Sequence, residues 1–174
     1  MTRIVLVRHA QSVWPRFGEP DYDERPLSED GLAEAESLVA RLTALAPAAV
    51  LSSPQLRAVQ TVRPTASALG LEVATWHELR EWDSGLVPSA DWETPCSYSW
   101  ANPAASHGDG ESLDELTVRA GEALARVAAL YLDATVVVGS HGTFLSRALI
   151  SAGRQVDWEV HRTMPMPAVY EIRR

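Results

Sequence analysis

Residues 3–9 read Arg3-Ile4-Val5-Leu6-Val7-Arg8-His9. The run over 3–7 is too short for a buried helix and shows no polar alternation. That is the pattern of a strand covered on both faces, as in a parallel sheet. It stops on an arginine and a histidine, and a polar stretch follows over 10–27 with Pro15, Gly18, Pro20 and Pro26. A covered strand that ends in two chemically active side chains sets the question for the rest of the chain.

Working outward, short apolar runs alternate with helical periodicity. A helix is predicted from about Glu29, with Leu32, Ala35, Leu38, Val39, Leu42 and Leu45 on one face, Ser28 as its cap, and Glu29 and Asp30 at the positive end of its dipole. Ala48–Leu51 reads as a second strand. Ser53-Pro54 predicts a helix opening with a serine cap and proline in first position, Leu56, Val59, Ala66 and Leu69 facing inward. Pro64 should kink or break that helix, because it removes a donor and crowds residue 60. Val73–Trp76 is a short strand. Residues 82–110 lack clear periodicity and carry Trp82, Trp92, Tyr98 and Trp100. Ser112-Leu113-Asp114-Glu115 is a capping box opening a helix to about residue 132. Thr135–Val138 is the strongest strand signal, a helix follows from about Thr143 to Ala152, and Ala168–Ile172 is the last strand. The alternation predicts an α/β fold: one domain over 1–174, a three-layer sandwich with a mainly parallel central sheet and helices on both faces.

Composition narrows the chemistry. The chain has 174 residues, 46% hydrophobic and 22% charged, within the globular range. No apolar run is long enough to span a bilayer, and the N-terminus lacks the pattern of a signal peptide, so a cytoplasmic location is expected. The net charge of −8 disfavours nucleic acid and anionic membranes as partners. Cys96 is the only cysteine, which excludes an intrachain disulfide. All fifteen basic residues are arginine, as a coding bias would produce. Without lysine there is no Schiff-base chemistry and no Gly-Lys-Ser/Thr phosphate loop.

In a parallel sheet, ligands bind beyond the carboxyl ends of the strands. Three polar clusters fall there: Arg8-His9, Ser52-Ser53 leading to Arg57, and Ser140-His141-Gly142. Arginine forks and a helix N-terminus near Gly142 suit an anion with several oxygens, and the two histidines add a nucleophile and a donor. Concentrated positive charge on an acidic protein points to a phosphomonoester site.

Here the sequence resembles the histidine phosphatase superfamily, the phosphoglycerate mutase-like group. Leu6-Val7-Arg8-His9-Ala10-Gln11-Ser12 is similar to its Arg-His-Gly opening, and Pro26-Leu27-Ser28-Glu29-Asp30-Gly31 to its Leu-Thr/Ser-x-x-Gly segment. Ser52-Ser53-Pro54-Gln55-Leu56-Arg57-Ala58-Val59-Gln60-Thr61 resembles its Ser-Ser-Pro-x-x-Arg-Ala-x-Gln-Thr. Leu79-Arg80-Glu81, Gly110-Glu111-Ser112 and Ser140-His141-Gly142 complete six motifs in family order.

The resemblance implies a phosphoglycerate mutase-like fold and a metal-independent reaction with no cofactor. His9 is then the nucleophile that becomes phosphorylated, while Arg8, Arg57 and His141 hold the phosphoryl oxygens and Glu81 serves as general acid and base. Three outcomes follow: a phosphatase, a mutase returning the phosphoryl group to a second position, or a non-catalytic phospho-ligand-binding module. A mutase needs a second anion site. The expected lid over 82–110 instead holds Asp83, Asp91, Glu93 and Asp109 with no arginine, and the chain lacks the insertions and tail of the mutases. A dead binder should have lost His9 or His141. The expectation is therefore a phosphatase of small phosphorylated substrates, with a phosphoprotein also open. The departures are Ala10 for glycine, Pro15 for an asparagine, and the segment after Leu-x-Glu. His77, His107 and His161 lack motif support, and the acid-rich stretch from Glu19 to Glu36 reads as a solvated face.

Overall fold

Alternation along the strands decides the layering. In the computed structural model, which describes residues 1–174, five strands form one sheet: β1 (Arg3–Arg8), β2 (Ala49–Ser52), β3 (Val73–Thr75), β4 (Thr135–Ser140) and β5 (Ala168–Arg173). Their order is β3-β2-β4-β1-β5. The first four run parallel, and β5 pairs antiparallel with β1. Successive side chains of a strand point to opposite faces. Ile4, Leu6, Leu51, Val136 and Val138 accordingly join one core cluster, while Val5, Val7, Val50 and Val137 join another. Both faces of the sheet are thus dry, which explains the unbroken apolar runs.

On the second face lie α1 (Glu29–Ser37), α2 (Val39–Thr43) and α3 (Leu56–Ala68), contributing Leu38, Leu42, Val62 and Ala66. After a short 3₁₀ turn at His77–Leu79 come α4 (Glu93–Ala101) and α5 (Leu113–Leu130); α6 (Gly142–Ser151) follows β4, and α7 (Trp158–Arg162) precedes β5. Helices α5 and α6 cover the first face with Leu116, Leu124, Phe144 and Leu145, all fully buried. Each such side chain contributes roughly 1.5–3 kcal/mol by leaving water. This is the three-layer α/β sandwich expected, with the last strand reversed.

Local differences have physical reasons. The stretch from Glu29 does not form one helix: at Leu38 the N–H bonds back to Ala35, a tighter turn that separates α1 from α2, and Leu32 rotates out to 46% exposure. Pro64 does not break α3, which runs through it. The helix buries Ala58, Val59, Thr61, Val62, Thr65 and Ala66 around the proline, and that packing outweighs one lost hydrogen bond. Ser53-Pro54 is not the helix start; Gln55 is the cap residue, and Ser53 accepts its N–H at 3.2 Å. The Ser112 capping box forms with both of its hydrogen bonds. Within 82–110 the chain does form a helix, α4, whose one buried residue is Ser99. It has no apolar stripe to betray it.

Candidate active site

Sheet register brings the three polar clusters together. Arg8 pairs with Ser140, the His9 N–H donates to the Ser140 carbonyl at 2.9 Å, and the Ser53 N–H donates to the Gly139 carbonyl at 2.8 Å. The His9 and His141 rings then meet edge to face, centroids 5.2 Å apart. His9 Nδ1 lies 2.7 Å from the Ala10 carbonyl, to which it donates. The proton is thereby held on Nδ1, and Nε2 keeps its lone pair. Burial, then the charge of Arg57, pushes the His9 pKa down to about 3, so the ring is neutral at ordinary pH. Ala10 needs no positive φ and is fully buried beside Leu27 and Ala35. Its N–H donates to Thr61 Oγ1, whose hydroxyl donates to the Arg57 carbonyl.

Around this nucleophile the protein leaves donors unspent. Arg8 Nε, Arg57 Nε and Nη1, and His141 Nδ1 are buried and hydrogen-bonded to nothing in the protein. Buried donors without partners cost roughly 1–3 kcal/mol each, more when charged, and four gathered at one point mark a place built to receive an anion. Arg8 is steered by the Met164 and Pro165 carbonyls, which accept from Nη1. Ser53 Oγ lies 2.8 Å from His141 Nε2; a hydroxyl donating there assigns the His141 proton to Nδ1. Burial and the surrounding arginines hold His141 well below the usual histidine range. Desolvation also lowers Arg8 and Arg57, an effect opposed by Glu81 in both and by Asp21 in Arg57.

Glu81 takes a position the sequence did not foretell. Its carboxylate accepts from the N–H groups of Phe144 at 3.0 Å and Thr143 at 3.2 Å, in the first turn of α6, and from its own neighbour Trp82 at 2.8 Å. The helix N-terminus that was expected to meet phosphate thus seats the carboxylate in part. Gly142 has another use: a Cβ there would stand 3.2 Å from the Arg8 guanidinium, so glycine makes room for the arginine. The loop that carries Glu81 is clamped by Arg119, which donates to the carbonyls of Glu78, Arg80 and Glu81 and pairs with Glu111 at 2.7 Å.

Beside this buried floor, and meeting it at Arg57, Glu81 and Thr143, opens a cavity of about 740 Å³, lined also by Arg80, Trp82, Asp83 and Trp92. Cys96 also lines it, and burial followed by the charge of Glu81 pushes its thiol up to about 11. A thiol at that value is protonated and unreactive.

Comparison with known proteins agrees with this architecture. The family model of the histidine phosphatase superfamily (branch 1) matches residues 4–171. The chain belongs to the histidine phosphatase superfamily. Among its relatives, a metal-independent phosphoserine phosphatase of Arabidopsis thaliana is 31% identical over 157 residues, 83% of this chain and 66% of that protein. The chain thus spans just under two thirds of that relative's length. A probable phosphoglycerate mutase, GpmB, of Enterobacter sp. (strain 638) is 29% identical over 154 residues, 83% of this chain and 72% of the relative. Among solved structures, Bacillus stearothermophilus YhfR superposes with a TM-score of 0.83 at 22% identity, covering 99% of this chain and 91% of that one. A phosphoserine phosphatase mutant of Entamoeba histolytica gives 0.79 at 16% identity, covering 98% and 90%. These two likenesses speak for the fold.

Within the superfamily's six motifs, Arg8, His9, Arg57, Glu81, His141 and Gly142 all come to the end of the sheet where β1, β2 and β4 stop. Four contributors escaped the sequence reading. Asp21, assigned to a solvated face, turns inward: its Oδ2 lies 3.2 Å from Arg57 Nη2, and Arg25 pairs with it at 2.7 Å. Arg119 clamps the Glu81 loop, and Arg80 lines the cavity. Only Arg25 and Arg80 left a signal, lying beside the Pro-Leu-Ser segment and inside Leu-x-Glu. His161 proves structural, stacked on Trp100 at 4.8 Å and bonded to Ser146 Oγ at 2.9 Å.

Proposed function

We propose that the protein is a metal-independent phosphomonoesterase working through a phosphohistidine on His9. The observation that carries this is the union of a neutral, buried histidine whose Nε2 lone pair is free with four unpartnered buried N–H donors. In the first half-reaction, Nε2 attacks phosphorus, an N–P bond forms, and the bond to the ester oxygen breaks. Arg8, Arg57 and His141 take up the charge that spreads over the phosphoryl oxygens. Glu81 protonates the departing oxygen. In the second, Glu81 takes a proton from water, whose oxygen attacks phosphorus; the N–P bond breaks and inorganic phosphate leaves. The arginines supply the positive charge that a metal ion brings elsewhere.

Transfer to water rather than to a second substrate position follows from the wall. Segment 82–110 brings Asp83 to the cavity and no arginine, so a second phosphate would meet Arg80 alone as a free cation, with Asp23 and Asp83 against it. The unpaired charges at the mouth are Arg80, whose one hydrogen bond is a long one to the His77 carbonyl, and the exposed Asp23 and Asp83. One cation and two carboxylates suit a leaving group carrying both a carboxylate and an ammonium, as in a phosphorylated amino acid. The Arabidopsis relative is a phosphoserine phosphatase, which agrees with that substrate class.

The test is release of nitrophenol from para-nitrophenyl phosphate in excess EDTA, wild type beside His9→Ala. Turnover by the wild type alone is expected. Turnover lost on chelation, or kept in the variant, overturns the mechanism. Faster turnover of bisphosphoglycerate than of O-phosphoserine would return the mutase.

A further inference from the structure

We infer that Asp21 and Arg25, which belong to none of the six motifs, are positioning residues that aim the Arg57 fork at the phosphoryl group. The inference rests on Arg57 being a phosphate ligand.

A guanidinium has a fixed planar set of donors, so tying down one nitrogen orients the others. Arg57 Nη2 forms an ion pair with Asp21 Oδ2 at 3.2 Å, a charge contact that draws this edge of the fork toward the carboxylate, and Nε and Nη1 are left buried and unpartnered. Asp21 is itself fixed: Arg25 Nε donates to Oδ1 at 2.7 Å and Nη2 to Oδ2 at 2.8 Å, the two-pronged geometry of an arginine–carboxylate pair. Arg25 is anchored in turn, since its Nη1 donates to Ser12 Oγ at 2.6 Å and to the Val13 carbonyl at 3.0 Å. Ser12 stands three residues after His9. The relay therefore ties the fork of Arg57 to the loop that bears the nucleophile.

The other end of Arg57 is tied to the same loop, because Thr61 joins the Arg57 carbonyl to the Ala10 N–H. Charge makes the carboxylate necessary. Arg25 and Arg57 lie close enough for Arg25 to depress the Arg57 pKa, and Asp21 opposes that effect. Without Asp21, two buried guanidiniums would repel and the fork would lose its bearing. A carboxylate beside a phosphate site might be thought a competitor for it, and the experiment separates the two roles.

Orthovanadate is the probe, its affinity measured by calorimetry beside kcat/KM on para-nitrophenyl phosphate. Asp21→Ala should weaken vanadate and lower kcat/KM by roughly 10- to 100-fold, the range for a misplaced catalytic group. Asp21→Glu should recover part of the loss. Because Asp21 acts through Arg57, Asp21→Ala should cost nothing further in an Arg57→Gln background, an interaction that a merely structural role would not produce. Additive losses in that cycle overturn the relay, and so does tighter vanadate binding by Asp21→Ala or Asp21→Asn, which would mark Asp21 as a competitor. Should the wild type bind vanadate yet fail to hydrolyse the ester, the phosphatase reading falls while the binding cycle still decides the relay.

Discussion

The buried floor of the site and the wall of the cavity beside it are built on different terms. On the floor, His9, Arg57 and His141 are at most 7% exposed; the two histidines follow the ends of neighbouring parallel strands, and Arg57 stands in the first turn of α3. The wall over 82–110 has one buried residue in its only helix, and Trp92 and Tyr98 are about half exposed at 45% and 55%. It is held from outside: Trp158 of α7 lies against Trp92 and Trp100, at centroid distances of 5.9 and 6.4 Å. Rigid strand ends suit a reaction that needs atoms placed within fractions of an ångström, and an aromatic wall suits choice among leaving groups. Chemistry and selection should then separate under mutation.

The largest effect expected is at the seam. Glu81→Gln keeps the shape of the side chain and removes its proton chemistry. For alkyl phosphates, whose leaving oxygen needs a proton, kcat should fall roughly 10²- to 10⁴-fold. Para-nitrophenyl phosphate, whose leaving group departs as a stable anion, should lose much less in the phosphorylation step. An equal loss on both esters in single-turnover measurements would show that Glu81 holds the floor together rather than moving protons.

Floor and wall also differ in how far the sequence disclosed them. The floor was legible because strand ends are fixed by short apolar runs, and because three of the six motifs place their polar residues at such an end. Asp21 was not, since a coil from 10 to 27 carries no periodicity from which direction can be read, and Arg25 was marked only by its place beside the Pro-Leu-Ser segment. The fold was legible in its layering. The reversed β5 was not, because a lone strand after a short helix has the same pattern whichever way it runs. Helix α4 escaped for want of an apolar face. Arg119 could not be foreseen, as its partners lie in two separate segments, 78–81 and Glu111.

Acid should weaken floor and wall in measurably different shares. Burial depresses the pKa of His9 to about 3, of His161 to about 4, and of His141 well below its usual value. The unfolded chain, with histidines near 6.5, binds more protons than the folded one below that pH, so stability is complete above it and drains away as pH falls. His9 and His161 should each cost about 2 kcal/mol at about pH 5, and His141 should add a loss of the same sign. Thermal midpoints across this range should therefore fall steeply in the wild type. His161→Asn should remove only the wall's share of the slope. A flat profile would mean that the floor histidines are not buried in solution.

A smaller effect is expected at the clamp. Glu111→Gln leaves Arg119 without its charged partner but keeps Glu81 intact. The Glu81 loop should loosen, with kcat on alkyl phosphates down by roughly 10-fold and para-nitrophenyl phosphate little changed in its phosphorylation step. The signature should thus copy that of Glu81→Gln at reduced size, and a loss equal on both esters would place Glu111 in the general framework of the fold.

The smallest effect tests the separation itself. Trp158→Ala removes the aromatic support of α4 and should raise KM for large leaving groups a few-fold while kcat on para-nitrophenyl phosphate stays within about two-fold. Truncating a half-buried tryptophan at about 1–2 kcal/mol should also lower the thermal midpoint by several degrees. Yet α7 also bears on both regions. Two residues beyond its end at Arg162, the Met164 and Pro165 carbonyls hold Arg8 Nη1, and His161 lies near enough to Arg8 for the arginine to lower its pKa. If support of the wall and aim of Arg8 are coupled through this turn, kcat will fall together with the rise in KM, and vanadate will bind less tightly. Unchanged vanadate affinity with raised KM would show that the turn after α7 insulates the floor from its wall.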